Sequence, residues 1–131
     1  MSDLPLIPAT VIGSWSFPGW YAHFCDDGRF DQWGDLFTDD ATLRAMGVTY
    51  EGRDGAKGFI TKFQPPEARG KHVCTNTVID IDGDRARGWT DYVFVSQEMV
   101  ILSAGRYHDV LVRDGDRWRF QDRRIVFMGE E

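Results

Sequence analysis

The sequence is poor in cysteine, in basic charge and in long apolar runs, and each shortage removes a class of protein. Two cysteines, Cys25 and Cys74, cannot make a disulfide framework and read as buried small hydrophobes. Net charge is −6, from 15 basic and 21 acidic residues, which suits no phosphate backbone and argues against a nucleic-acid partner. The notable basic group, Arg119, Arg123 and Arg124, reads as a solvated strand face or an interface. No segment approaches the roughly 18 apolar residues of a membrane span. The start, Met1 to Pro5, has no basic region followed by an apolar run. A soluble, cytoplasmic chain without a membrane partner is the expectation. There is no Gly-rich phosphate loop, no cluster with metal-ligand spacing and no serine in a nucleophile elbow, so no cofactor and no metal is expected.

What is abundant is aromatic: five Trp, nine Phe and four Tyr in a chain that is 42% hydrophobic. Such a composition is globular, and 131 residues make one ordinary domain. The aromatic excess either fills a core or lines an apolar pocket.

Residues 1–16 have little periodicity and read as an arm, followed by a domain over 17–131. Pro18 suits a first helical turn, and Trp20, Tyr21, Phe24 and Cys25 form an apolar face up to Asp27, where Gly28 stops the helix. Phe30 to Phe37 reads as a second short helix closed by Thr38-Asp39-Asp40. Ala41–Met46 and Val48–Glu51 read as a hairpin around Gly47. A third helix, Arg53 to Phe63, carries Ala56, Phe59, Ile60 and Phe63 at helical spacing and ends before Pro65-Pro66. Strands then follow over 72–82, 85–96, 99–114 and 117–127, with Asp82-Gly83-Asp84 and Asp114-Gly115-Asp116 as turns. Helices first and an antiparallel meander after them argue α+β, with the helices packed on one face of a curved sheet.

The run from Tyr21 to Trp33, with Asp35 to Ala41 after it, resembles the opening of SnoaL-like domains of the nuclear-transport-factor-2-like superfamily. Gly105-Arg106-Tyr107 and the run Asp114 to Phe120 are similar to their closing strands. The resemblance covers about residues 17 to 127 and implies a cone-shaped, cystatin-like roll: a curved antiparallel sheet with the N-terminal helices packed on its concave face. Relatives include polyketide cyclases, dehydratases, a dehydrochlorinase, ketosteroid isomerase and the noncatalytic small subunit of ring-hydroxylating dioxygenases, so the fold alone leaves function open. Separately, Pro8 to Ser14 resembles the N-terminal run of cobalamin-independent methionine synthases, in a chain far too small for their barrels.

Dehydratase and dehydrochlorinase relatives carry an Asp at the end of the first helix and a His at the start of the first long strand. Asp26 and His72 stand at those places, and Tyr21 matches a Tyr five residues before the Asp in bile-acid 7α-dehydratase. A carboxylate on one imidazole nitrogen fixes the tautomer and leaves the other nitrogen a better base. Such a base removes a proton next to a leaving group or carbonyl, while Tyr21 offers a hydrogen bond to the departing or developing oxygen. The plainer alternatives stay open: Asp26 or Asp27 as a helix end, His72 as an ordinary strand residue, Tyr21 as a core aromatic. Tyr21 also stands about 140° from Asp26 around an ideal helix.

Trp20, Phe24, Asp91 and His108 are further candidates for contacting substrate. Alternation sends Arg106 and His108 to one face and Tyr107 and Asp109 to the other, and leaves open which pair faces the pocket. Asp91 fits the outer face as well as the inner. The resemblance implies a cofactor-independent lyase or isomerase acting on a small hydrophobic ring compound such as a polyketide, steroid or aromatic metabolite. The alternative is a noncatalytic domain that binds a hydrophobic ligand or a partner subunit. Trp118, Phe120, Ile125 and Phe127 among the arginines of the closing strands suggest an outer face needing cover, hence a homodimer or higher oligomer.

Overall fold

The computed structural model describes residues 17–130. The expected arm, including Pro8 to Ser14, lies outside the described residues. Helix α1 (Phe17–Asp26) and the short α2 (Phe30–Gly34) lead into strands β1 (Phe37–Ala45) and β2 (Val48–Glu51). Helix α3 (Gly52–Phe63) and a 3-10 turn (Pro66–Ala68) precede β3 (Lys71–Asp82), β4 (Arg85–Val95), β5 (Ile101–Asp114) and β6 (Arg117–Phe127). The strands form one six-stranded curved sheet in the order β2-β1-β6-β5-β4-β3. Neighbours are antiparallel except β1 and β6, which run parallel. That parallel pair departs from the wholly antiparallel sheet expected from sequence order.

The second helix is also shorter than its spacing suggested, and Thr38-Asp39-Asp40 belongs to a strand. The helix ends at Gly34, its last turn closed by the Asp35 N–H on the Asp31 carbonyl and the Leu36 N–H on that of Trp33, both at 3.1 Å, and the Leu36 carbonyl instead accepts the Phe120 N–H at 2.7 Å. Phe37 then lies opposite Phe120 in the parallel ladder. Arg53 fixes the corner by donating to the carbonyls of Gly34 and Phe37. Two backbone groups and one guanidinium thus take over where a further helical turn would have needed partners.

Helix α1 ends in a Schellman motif. The Arg29 N–H reaches the Phe24 carbonyl at 2.8 Å and the Gly28 N–H reaches that of Cys25 at 3.2 Å, with Gly28 at φ 73°. Gly28 therefore does the terminating, and Asp26 on the final turn is left for other use. On α3 the buried residues are Ala56, Phe59 and Ile60, the stripe expected of a helix lying on a sheet.

The core sits between these helices and one sheet face. On β4 the inward residues are Ala86, Thr90, Tyr92 and Phe94; on β5 they are Tyr107, Asp109 and Leu111. Trp33, Phe37, Leu43 and Phe120 are almost wholly enclosed, each contributing roughly 1.5–3 kcal/mol of burial. Trp118 and Ile125 are buried with them, so the closing-strand residues read as needing an outside partner are largely covered by their own chain. Among the described residues no helix is long and apolar enough to cross a membrane.

Candidate active site

The helices and the inner sheet face enclose a cavity of about 230 Å³. Tyr21 lines it from α1, Phe59, Ile60 and Phe63 from α3, Phe94 and Ile125 from the sheet, and most of the exposed lining is carbon. Gln64, His72, Ser103 and the tyrosines Tyr21, Tyr92 and Tyr107 are the lining residues that carry polar groups.

Asp26 and His72 meet at the cavity wall, which His72 lines. Strand alternation on β3 turns His72 and Cys74 inward, and the end of α1 passes over them. One Asp26 oxygen lies 2.6 Å from His72 Nδ1; the other accepts the His72 backbone N–H at 2.9 Å. The side chains are 6% and 12% exposed, so water competes little for this contact. Opposite a carboxylate, Nδ1 carries the proton, which leaves Nε2 as the lone-pair nitrogen available to the cavity. Asp26 stands at the C-terminal, partially negative end of its helix, where a carboxylate is disfavoured. Two hydrogen bonds from one residue offset that.

Tyr21 lines the cavity, whereas Asp26 sits behind His72. Their separation around the helix thus brings one to the cavity and the other to the back of the ring. Burial pushes the Tyr21 hydroxyl above the ordinary tyrosine range, against the lowering pull of Arg123, so it is a neutral donor at physiological pH.

Beneath Tyr21 lies a charge that the sequence did not disclose. Arg123 is fully buried, and its guanidinium is held by Asp109 through bonds of 2.7 and 2.8 Å. It stacks among Tyr21, Tyr107 and Phe120, 4.2, 3.9 and 4.1 Å from the ring centroids. Burial works against the charge, but the Asp109 carboxylate more than offsets it and holds Arg123 protonated. Arg123 is thus a core residue, not part of a solvated face, while Arg124 is exposed. A register shift between Val110 and Leu111 opposite β6 is the cause: it breaks the alternation running from Trp118 and Phe120 and turns Arg123 inward.

The remaining sequence candidates lie elsewhere. Trp20 is 50% exposed and stacks on Phe24, and neither lines the cavity. Asp91 faces the other side of the sheet, held by Arg106 at 2.6 Å and by Asn76 at 3.1 Å, which keep its carboxyl below the usual range. His108 shares that outer face, opposite Trp89 and Arg124 in the ladder, while Tyr107 and Asp109 point inward. Tyr92 and Ser103, which the sequence reading passed over, join hydroxyls at 2.8 Å on the cavity wall.

Cys25, Asp26 and His72 are the one grouping among the described residues whose donor atoms gather as metal ligands would, within 4.8 Å of one another. Tetrahedral ligands with bonds near 2.0 Å stand about 3.3 Å apart. The 2.6 Å between Nδ1 and the carboxylate is a hydrogen bond and too short for two ligands of one ion. Burial, then the neighbouring Asp26 charge, push the Cys25 thiol far above its usual range, so the grouping as it stands is a hydrogen-bonded Asp26–His72 pair beside a protonated thiol.

No curated protein shows significant similarity in sequence. Among solved structures, a candidate scytalone dehydratase from Novosphingobium aromaticivorans superposes with a TM-score of 0.80 at 20% identity, over 98% of this chain and 89% of its own. A hexachlorocyclohexane dehydrochlorinase (LinA) of type 2 gives 0.78 at 20% identity, over 92% and 86%. The beta subunit of a candidate aromatic-ring-hydroxylating dioxygenase, also from Novosphingobium aromaticivorans, gives 0.72 at 20% identity, over 88% and 86%. At such identities the likeness establishes the fold, which is nuclear-transport-factor-2-like. The sequence profile of the SnoaL-like domain matches residues 20–124, and the chain belongs to that family.

Proposed function

We propose that the cavity is the active site of a cofactor-independent lyase or isomerase acting on a small hydrophobic ring compound. The observation that carries this is the doubly bonded Asp26–His72 pair at the wall of an apolar cavity. In this reading His72 Nε2 takes a proton from a ring carbon next to a carbonyl or leaving group. The C–H electron pair becomes a new double bond, and Asp26 stabilises the imidazolium that forms. Tyr21 donates to the oxygen on which charge develops, with Arg123 packed against its ring. In elimination the leaving group departs with its bonding pair; in isomerisation the proton returns to another carbon. The cavity of about 230 Å³ is smaller than the roughly 300–1,000 Å³ usual for drug-sized ligands, which favours one- or two-ring compounds over steroids.

The test is turnover of β-hydroxy ketones on one- and two-ring skeletons, followed by the absorbance of the conjugated product. His72→Asn keeps a donor for Asp26 but removes the base, and should cost roughly a hundredfold or more in kcat. Ligand affinity should stay nearly unchanged. A chain that binds these rings but turns over none, in wild type and variant alike, is a binding domain and ends the catalytic reading.

The same reading includes self-association. The outer sheet face carries exposed Val73 and Val78 beside Trp89 and Val93, with Asp91 and Arg106 paired between them. A homodimer that buries this face is proposed.

A further inference from the structure

One row of the sheet runs through the cavity. His72 on β3 lies opposite Phe94 on β4, and Phe94 lies opposite Ser103 on β5. All three line the cavity, so one face presents a base, an aromatic ring and a hydroxyl in that order. Two strand spacings separate the ends of the row, about 10 Å at the backbone. The Phe94 ring stands 4.7 Å from the imidazole, and a flat ligand ring resting on it reaches toward both ends.

At the far end Ser103 is paired. Its Oγ lies 2.8 Å from the Tyr92 hydroxyl. The Tyr92 ring is held from two sides: it stacks on Tyr107, with 4.7 Å between centroids and 9° between planes, and it lies across Gly105. A Cβ added at Gly105 would come within 2.9 Å of Tyr92 Cε1, so a bare backbone is what lets the ring reach over β5. Two hydroxyls carry two protons, and the single bond between them uses one. The other has no partner among the described residues, and half-buried Ser103 keeps accessible surface where it lines the cavity. The phenol is the more acidic hydroxyl and the better donor to Ser103 Oγ. The serine proton is then turned onward and polarised by the bond that its oxygen receives.

We propose that Ser103 is a specificity-determining residue of this site, positioned by Tyr92, and that the ligand is a two-ring compound with a carbonyl on the ring remote from His72. That carbonyl accepts the Ser103 O–H, the rings lie over Phe94, and the near ring offers its C–H to His72 Nε2. This rests on the reading of the cavity as the ligand site. It adds to Tyr21 a second donor at the other end of the ligand, so the carbon presented to the base is fixed from both ends.

The experiment is NMR titration of the full chain with trans-decalin-1,5-dione, which has a carbonyl on each ring, and with trans-1-decalone, which has a carbonyl on one. Wild type should bind the dione about twofold to tenfold more tightly, the net worth of one hydrogen bond. In Ser103→Ala that advantage should vanish through weaker dione binding, with 1-decalone bound as before. Should alanine disturb the fold, which a thermal melt will report, Ser103→Cys replaces the hydroxyl by a weak donor of similar size. Ser103→Thr keeps the hydroxyl and should keep the advantage. Tyr92→Phe lets the serine proton turn elsewhere and should reduce it. With ¹³C at its carbonyls, the bound dione should show two carbonyl resonances, of which Ser103→Ala moves one upfield. An advantage that persists in Ser103→Ala overturns the inference, whichever group then serves the second carbonyl, and a full advantage in Tyr92→Phe overturns the part given to Tyr92. Failure of wild type to bind either compound defeats the inference and the cavity assignment together. Equal binding of the two by a chain that turns over β-hydroxy ketones defeats the inference alone.

Discussion

The carboxylate of Asp26 accepts two hydrogen bonds from His72, one from its backbone and one from its ring, across 46 residues of sequence. The backbone bond fixes where the carboxylate stands, and the ring bond then fixes the imidazole. Asp26→Asn keeps an oxygen for one of these contacts but cannot hold an imidazolium. Turnover should fall by roughly a hundredfold or more while ring binding is retained. The double variant with His72→Asn should be little worse than either single one, because the two act as a unit. Additive losses would show that the residues work separately.

The buried Arg123–Asp109 pair supports the floor of the site. Arg123→Met strands a carboxylate in the core and should cost about 3–5 kcal/mol in urea unfolding. Replacing both, as Arg123→Met with Asp109→Leu, should recover much of that loss, since neither charge is then unpaired. A single variant as stable as wild type would mean that the carboxylate reaches water.

Both thiols should be sluggish. Burial raises Cys25 and Cys74 above the ordinary thiol range, and the thiolate is the reactive form. Iodoacetamide at pH 7.5 should label the folded chain at least about tenfold more slowly than the urea-unfolded chain, by mass spectrometry. Rapid labelling of Cys25 would show that the end of α1 opens readily.

Alkali should destabilise the fold. Cys25, Cys74, Tyr21 and Tyr107 all hold their protons more tightly when folded, chiefly through burial. The unfolded chain releases them from about pH 8.5 for cysteine and about pH 10 for tyrosine. Above those values the folded state binds more protons, so stability falls as pH rises. Urea midpoints should be level between pH 7 and 8, decline by pH 9 and fall more steeply beyond 10. A midpoint that rises over this interval would contradict the burial of these groups.

If the outer sheet face pairs two copies, light scattering at micromolar concentration should report twice the chain mass. Val73→Lys with Val78→Lys should give the monomer and leave the cavity able to bind. A monomeric wild type would rule out pairing through this face.

Much of the architecture was legible because its signals are local. The spacing of Ala56, Phe59 and Ile60 announced α3, and the Asp-Gly-Asp turns at 82–84 and 114–116 announced the hairpins. What escaped depends on contacts far apart in the chain. Nothing near Phe37 reveals that Phe120 waits to pair with it in parallel. Arg123 was misread because the register shift opposite Leu111 changes the face, and alternation alone cannot count a bulge. Asp26 and His72 drew notice through family resemblance, since neither position differs by periodicity from an ordinary helix end or strand start.

The parallel pairing of β1 with β6 also sets the order in which the chain can be made. As residues 37–51 leave the ribosome they can form only the β1–β2 hairpin, and an isolated hairpin is marginal in water. The other edge of β1 waits for β6, whose residues come last among the strands. Until then Phe37 lacks the strand that closes over it, and Trp33 lacks a finished core. A nascent chain halted before residue 117 is therefore not a smaller domain but an open, aromatic-rich surface, and the core can close only once β6 has been made.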